Sequence, residues 1–165
     1  MLPRMSSSLP GPLDRELAEA AFVCDLLRVR DLLAQGASPD ARDGEGRPPL
    51  VSAILGNSVA LVGLLLESKA DVNAIDEHGW TPLHFTADEV LPQMASLLLA
   101  KNADPNVRDD EGNTPLHRAV FSARGRDEVV RLLRKNGAKD DVKNKSGETP
   151  KSLAERLGET FFTSN

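Results

Sequence analysis

Two markers recur along this chain at one interval, and that periodicity constrains its fold more than any other property. Gly46, Gly79, Gly112 and Gly147 are each followed, two residues on, by Pro48, Thr81, Thr114 and Thr149, and then by Pro49, Pro82, Pro115 and Pro150. The steps are 33, 33 and 35 residues. A second marker runs through Ala37-Ser-Pro-Asp40, Ala70-Asp-Val-Asn73, Ala103-Asp-Pro-Asn106 and Ala138-Lys-Asp-Asp141, and it advances by the same 33, 33 and 35. Both place a two-residue insertion in the third interval, near Ser122–Gly125. Self-similarity of this kind signals stacked supersecondary units, none of which can bury its apolar face without the next.

Each unit reads as a pair of helices. Thr81-Pro82 and Thr114-Pro115 are helix starts, because Thr caps a helix N-terminus and Pro is tolerated at its first position. Small residues such as Ala87 and Ala119 follow and let neighbouring helices approach. An apolar second helix comes next: Val59–Leu66, Met94–Leu99 and Val129–Leu133 keep leucine at helical spacing. The Asp and Asn of the second marker suit a turn, and the Asp- and Gly-bearing stretches Asn73–Trp80 and Asn106–Asn113 suit an exposed hairpin. With aromatic residues at 4% and no Tyr, a β-sandwich or barrel is disfavoured. The expected fold is therefore all-α, a solenoid of helix-turn-helix units with short β-hairpin loops.

Asp76-Glu-His-Gly-Trp-Thr-Pro-Leu-His84 and Asp109-Asp-Glu-Gly-Asn-Thr-Pro-Leu-His117 carry a specific likeness: the chain resembles an ankyrin-repeat protein. The likeness covers Leu13 to Phe162 in about four and a half repeats. It sets a flexible tail at 1-12 and a repeat domain at 13-162, with units at about 14-40, 43-73, 76-106 and 109-141 and a half unit at 144-162. The first unit lacks Thr-Pro-Leu-His but keeps Ala20-Ala21 and Leu32-Leu33, and the last has Lys151 in place of Leu. Departures matter. Cys24 and Val90 stand where the family's first helix ends in a left-handed glycine, so another turn shape is expected at Val90, set by Pro92. Pro48 replaces a capping Thr, and Gly63 interrupts an otherwise good helix at a cost of about 1 kcal/mol.

Catalytic chemistry finds no support. His84 and His117 are one repeat apart, and the resemblance implies that they link neighbouring turns by hydrogen bonds. Cys24 has no activating partner in the sequence and reads as a small buried hydrophobe. A single cysteine rules out an internal disulfide or a multi-cysteine zinc module. Gly44-Glu-Gly46, followed by Arg-Pro-Pro, is not a phosphate loop. The Asn144-Lys-Ser146 sequon carries no weight without a secretory signal. The chain is expected to be a non-enzyme without cofactor or metal. No apolar run of 18 residues is present, so no membrane partner is expected, and the expected location is cytoplasmic.

Binding remains. In the family, the hairpin tip and the exposed end of the first helix vary and line one face. Carried over by motif, these places are Glu45, Arg47 and Leu55 in one unit and Glu77, His78, Trp80, Asp88 and Glu89 in the next. Asp110, Glu111, Asn113, Phe121 and Ser122 follow, with Phe22 and Val23 in the first unit. Glu45, Glu77, Asp88, Glu89, Asp110 and Glu111 form an acidic ladder with Trp80 and a few apolar residues among them. The net charge of −5 conceals this. Residues 40–117 hold 13 acids and 5 bases (net −8), while 118–165 hold 7 acids and 11 bases (net +4). Such a face suits a protein partner with a basic surface, the charges speeding encounter and the apolar residues slowing release.

A closer likeness narrows the role. Asn113-Thr-Pro-Leu-His-Arg-Ala-Val-Phe121, Arg124-Gly-Arg126, and a last helix through Leu153-Ala154 ending at Phe161-Phe162 resemble compact stand-alone bacterial ankyrin proteins of the toxin-immunity type. The resemblance implies a monomeric inhibitor that blocks one partner, a cognate toxin. The alternative is a general ankyrin scaffold or host-directed effector. A nucleic-acid role could use Arg124, Arg126, Arg131, Arg134, Lys135, Lys143 and Lys145, but no aromatic stacking platform accompanies them, so no nucleic acid is expected as partner.

Overall fold

The computed structural model describes residues 11–162. Nine helices run through them: α1 (Pro12–Phe22), α2 (Leu26–Ala34), α3 (Pro49–Leu55), α4 (Val59–Glu67), α5 (Pro82–Asp88), α6 (Pro92–Ala100), α7 (Pro115–Ala123), α8 (Glu128–Lys135) and α9 (Pro150–Leu157). They pair as α1·α2, α3·α4, α5·α6 and α7·α8, with α9 as the last half unit. The odd-numbered helices stack on one another as one layer, and the even-numbered helices stack as a second. The fold is an all-helical solenoid. Of the tail expected at 1–12, residues 1–10 lie outside the described residues, and Pro12 already opens α1 behind the Gly11 cap.

The core lies between the two layers. Leu17, Leu50, Leu83 and Leu116 from the odd helices meet Leu32, Leu65, Leu98 and Leu133 from the even ones, all fully or almost fully buried. One leucine per helix at the repeat interval gives a single continuous cluster, so each unit's apolar face is covered by its neighbour.

The turns within and between units share one closure. After each of the first three odd helices a main-chain N–H reaches back to the carbonyl five residues earlier: Asp25 to Ala20, Ser58 to Ala53 and Leu91 to Thr86, each at 2.9 Å. After the even helices Ala37, Ala70, Ala103 and Ala138 do the same, each at 3.0 Å. That pattern requires a left-handed residue just before. Val90 therefore does not take another shape: its φ is 54°, beside 56° at Cys24 and 52° at Asn57. The closing bond to Thr86 and the packing of Val90 against the core hold it in a conformation that disfavours a β-branched side chain. Pro92 begins α6 but does not reshape the turn.

The loops expected as β-hairpins are tight turns, each with one main-chain bond from an Asp or Asn N–H across its base and a second from its glycine N–H back to the carbonyl of that Asp or Asn. Asp43, Asp76, Asp109 and Asn144 donate N–H to the carbonyls of Arg47, Trp80, Asn113 and Glu148. No strand is formed among the described residues. The side-chain oxygen of the same Asp or Asn then accepts two further N–H groups, as Asp76 does from His78 and Trp80. The acids at the base of each loop are thus structural, and those at the tip are not.

Candidate protein-interaction face

The loops of the fourth and fifth units are held in position by buried histidines. Thr81 caps α5, and the Thr81 N–H donates to Nδ1 of His84 at 3.1 Å. The opposite ring nitrogen, Nε2, donates to the carbonyl of Asn113 in the following loop at 3.1 Å. These partners assign the neutral tautomer with the proton on Nε2. His117 repeats the arrangement, accepting from Thr114 N–H at 3.0 Å and donating to the Glu148 carbonyl at 3.2 Å. Burial pushes the His84 imidazole down to about 4, although the bond to Asn113 opposes it, and burial lowers His117 in the same way. Neither ring is placed to exchange protons with a ligand near neutral pH. Among the described residues no group of three or more His, Cys, Asp or Glu side chains could hold a metal ion.

The tips are stacked by the main chain as well. Asp110 N–H donates to the His78 carbonyl at 3.0 Å, and Lys145 N–H to the Glu111 carbonyl at 2.9 Å. A Cβ on Gly79 would sit 3.2 Å from Asp110 N, so the close approach of these two loops depends on glycine there. Glu77, Asp110 and Glu111 consequently project from consecutive loops held in register, all of them exposed. Glu45 is exposed too, and its carboxylate meets Arg47 at 2.9 Å. His78 is exposed, with Nε2 3.7 Å from Glu77.

Several other expected contact residues also hold neighbours within the chain. The Trp80 ring is half-buried, 5.0 Å from Phe85 between centroids, and the Arg118 guanidinium lies 4.2 Å above it. Arg118 also donates from Nη2 to Asp109 at 2.6 Å. Burial alone would raise the Asp109 carboxyl, but the bonds from Arg118 and the Asn113 N–H, with the charge of Arg118, hold it below the usual carboxylate range. Asn113 accepts from the Asn144 amide at 2.9 Å, and Asp88 accepts from Ser122 at 3.0 Å. Arg47 pairs with Asp43 and lies 5.5 Å from the Phe22 ring. Leu55, Glu89 and Phe121 stand exposed at the ends of the odd helices.

A family model described as ankyrin repeats (3 copies) matches residues 17–109 and 92–144. The chain belongs to the ankyrin-repeat family. Among similar proteins, RelA-associated inhibitor of Mus musculus is 37% identical over 43% of this chain and 9% of its own length. E3 ubiquitin-protein ligase KEG of Arabidopsis thaliana is 32% identical over 91% of this chain and 10% of its own. Protein phosphatase 1 regulatory subunit 27 of Mus musculus is 36% identical over 43% of this chain and 47% of its own. The chain thus spans a tenth or less of the first two relatives and under half of the third. Ankyrin repeats bind protein partners, and these relatives include an inhibitor and a regulatory subunit.

Three sets of residues on this ankyrin array escape the sequence reading. Arg118 is one, although a lone cation stands out where the other units place Ser52, Phe85 and Leu153. Its Nε is the one buried side-chain polar atom without a hydrogen-bond partner among the described residues. The second set is Asp40, Asn73 and Asn106, whose side chains accept N–H from Asp71, Asp104 and Lys139 one unit on, at 2.8 to 2.9 Å. Their repeat spacing is the signal, but it reads equally as a turn preference within one unit. The third is Arg42 and Arg108, which donate to the carbonyls of Ile75 and Lys143 across the unit boundary.

Proposed function

We propose that this ankyrin-repeat protein is a non-enzymatic inhibitor that covers a basic surface of one partner protein, and that the partner is a cognate bacterial toxin. The observation that carries the reading is the exposed row Glu77, Asp110 and Glu111, borne on loops stacked in register, with Glu45 exposed on the loop before them. Carboxylates held this way make a directional field, and a cationic surface is drawn to it faster than to a neutral one. The likeness to compact bacterial ankyrin proteins supports the toxin, and the kinship with an inhibitor and a regulatory subunit supports blocking rather than catalysis. The protein acts in the cytoplasm as a monomer and needs no cofactor. Among the described residues no helix is long and apolar enough to cross a membrane.

The test is to mix the purified protein with candidate toxins, beginning with the products of its neighbouring genes. A complex that abolishes the toxin's activity is expected, and no complex with undiminished activity would sink the toxin assignment. Glu77→Lys together with Glu111→Lys should then slow association about tenfold at low salt and flatten its salt dependence. Both side chains are exposed and outside the loop-closing bonds, so the unfolding midpoint should hold within about 0.5 kcal/mol.

A further inference from the structure

Seven places after each helix cap, the units present Leu55, Asp88, Phe121 and Arg156, and Phe22 holds the corresponding place in the first. These residues lie on α1, α3, α5, α7 and α9, which stack in that order. The next places read Val23, Gly56, Glu89, Ser122 and Leu157. Along the array the series is apolar, apolar, acidic, aromatic, basic. Phe22 and Phe121 are 61% and 62% exposed, and with Val23 and Leu55 they place large apolar side chains along one row of helix ends.

Cavities open beyond the neighbouring helices on both sides, one between α1 and α3 and one between α7 and α9. One of about 200 Å³ is lined by Phe22, Arg47, Ser52, Leu55 and Gly56. Another, of about 180 Å³, is lined by Phe121 and Leu153 together with polar side chains that include Asn113, Arg118, Glu148 and Arg156. Between them, Asp88 is fixed by the Ser122 hydroxyl, and Glu89 makes no side-chain hydrogen bond or ion pair with any described residue.

Resting on the reading of this face as the contact surface, we propose that it recognises a protein segment in which one lysine or arginine stands between two large apolar residues. The basic side chain meets Asp88 and Glu89, and the apolar ones pack on Leu55 and Phe121 at the near rims of the two cavities. Packed helices lie about 10 Å apart, so the three contacts are separated by about one such step each. About seven residues of α-helix cover that distance and return to the same face. About three residues of polyproline helix do so as well. Three residues of β-strand turn the side chain to the opposite face, which excludes a flat strand.

A random 16-residue phage-displayed peptide library panned on the immobilised full chain tests this. The expected selection carries Arg or Lys with large apolar residues three or seven places to each side. Affinity of selected synthetic peptides should fall about tenfold on Asp88→Lys with Glu89→Lys, and also on the milder Asp88→Asn with Glu89→Gln. On Phe121→Ser the apolar preference on one side should disappear. A selection without that pattern, or binding indifferent to the Asp88 and Glu89 variants, overturns the proposal. Basic peptides that respond only to Glu77→Lys and Glu111→Lys would leave the basic-partner reading standing while this one falls. Peptides indifferent to all four acids would remove both.

Discussion

The loop of the second unit and the loops of the third to fifth are held by different means. From Glu77 to Glu148 each loop is tied to the next by a buried histidine and a main-chain bond between tips. The loop carrying Glu45 has neither: Pro48 stands at the cap of α3 with no side-chain hydrogen bond, and Val51 occupies the histidine's place. Its tie to the next unit runs through Arg42, which donates to the Ile75 carbonyl at 2.9 Å. A solvated arginine contributes less than a buried, fully paired ring. The array therefore has a stitched half, which presents the acidic tips as one rigid row, and a looser half around Phe22 and Leu55.

The hardest blow to that contrast is His84→Ala. It leaves the Thr81 N–H and the Asn113 carbonyl without their partner in a buried site and opens a void, and the loss should be about 3 kcal/mol in urea unfolding. The variant should also show faster hydrogen exchange at Gly112 and Asn113. If the second-unit loop loosens instead, the stitching is not where the rigidity resides.

Acid attacks the same link. The His84 pKa falls from 6.5 to about 4 on folding. Between those values the unfolded chain holds the extra proton and the folded one does not, so stability drops as pH falls from 6.5 toward 4 and is flat in this respect above 6.5. The contribution lost is about 3 kcal/mol, and His117, shifted in the same direction, adds to it. Unfolding followed against pH should be steep in this window for the native chain and shallower for His84→Ala.

Trp80→Ala tests the stitched half from the side. It removes the ring beneath Arg118 and the packing on Phe85, and the fold should lose about 2 kcal/mol. A partner-binding loss seen with this variant must therefore be corrected for stability before Trp80 is counted as a contact.

Much of the array is legible in the sequence because the period itself encodes packing: Leu50, Leu83 and Leu116 are core for one reason three times over. The structural acids are legible too, since Asp43, Asp76 and Asp109 each stand at a turn. Val90 is not. Local preference speaks against a left-handed valine, and only the closing bond to Thr86 and its packing against the core overrule it. Arg118 and Trp80 meet across a unit boundary, 38 residues apart, which no pattern within one unit reveals. The candidate face is legible as places but not as partners. Glu77, Glu111 and Phe121 are exposed, and Asp88, Asn113 and Trp80 also bond or pack against neighbours within the chain, which no reading of one unit reveals.

The smallest effect bears on the looser half. Gly63 lies inside α4, and a Cβ built there meets nothing within 4 Å. Gly63→Ala should therefore stabilise the protein by about 1 kcal/mol, since alanine restricts the unfolded backbone and costs no packing. In an array whose units support only their neighbours, that gain is felt first where it is made. Hydrogen exchange should slow across α3 and α4 and change little in α7 and α8. A uniform slowing across all nine helices of the described residues would mean that the two halves open as one cooperative unit, and the contrast between them would then be one of loop geometry alone.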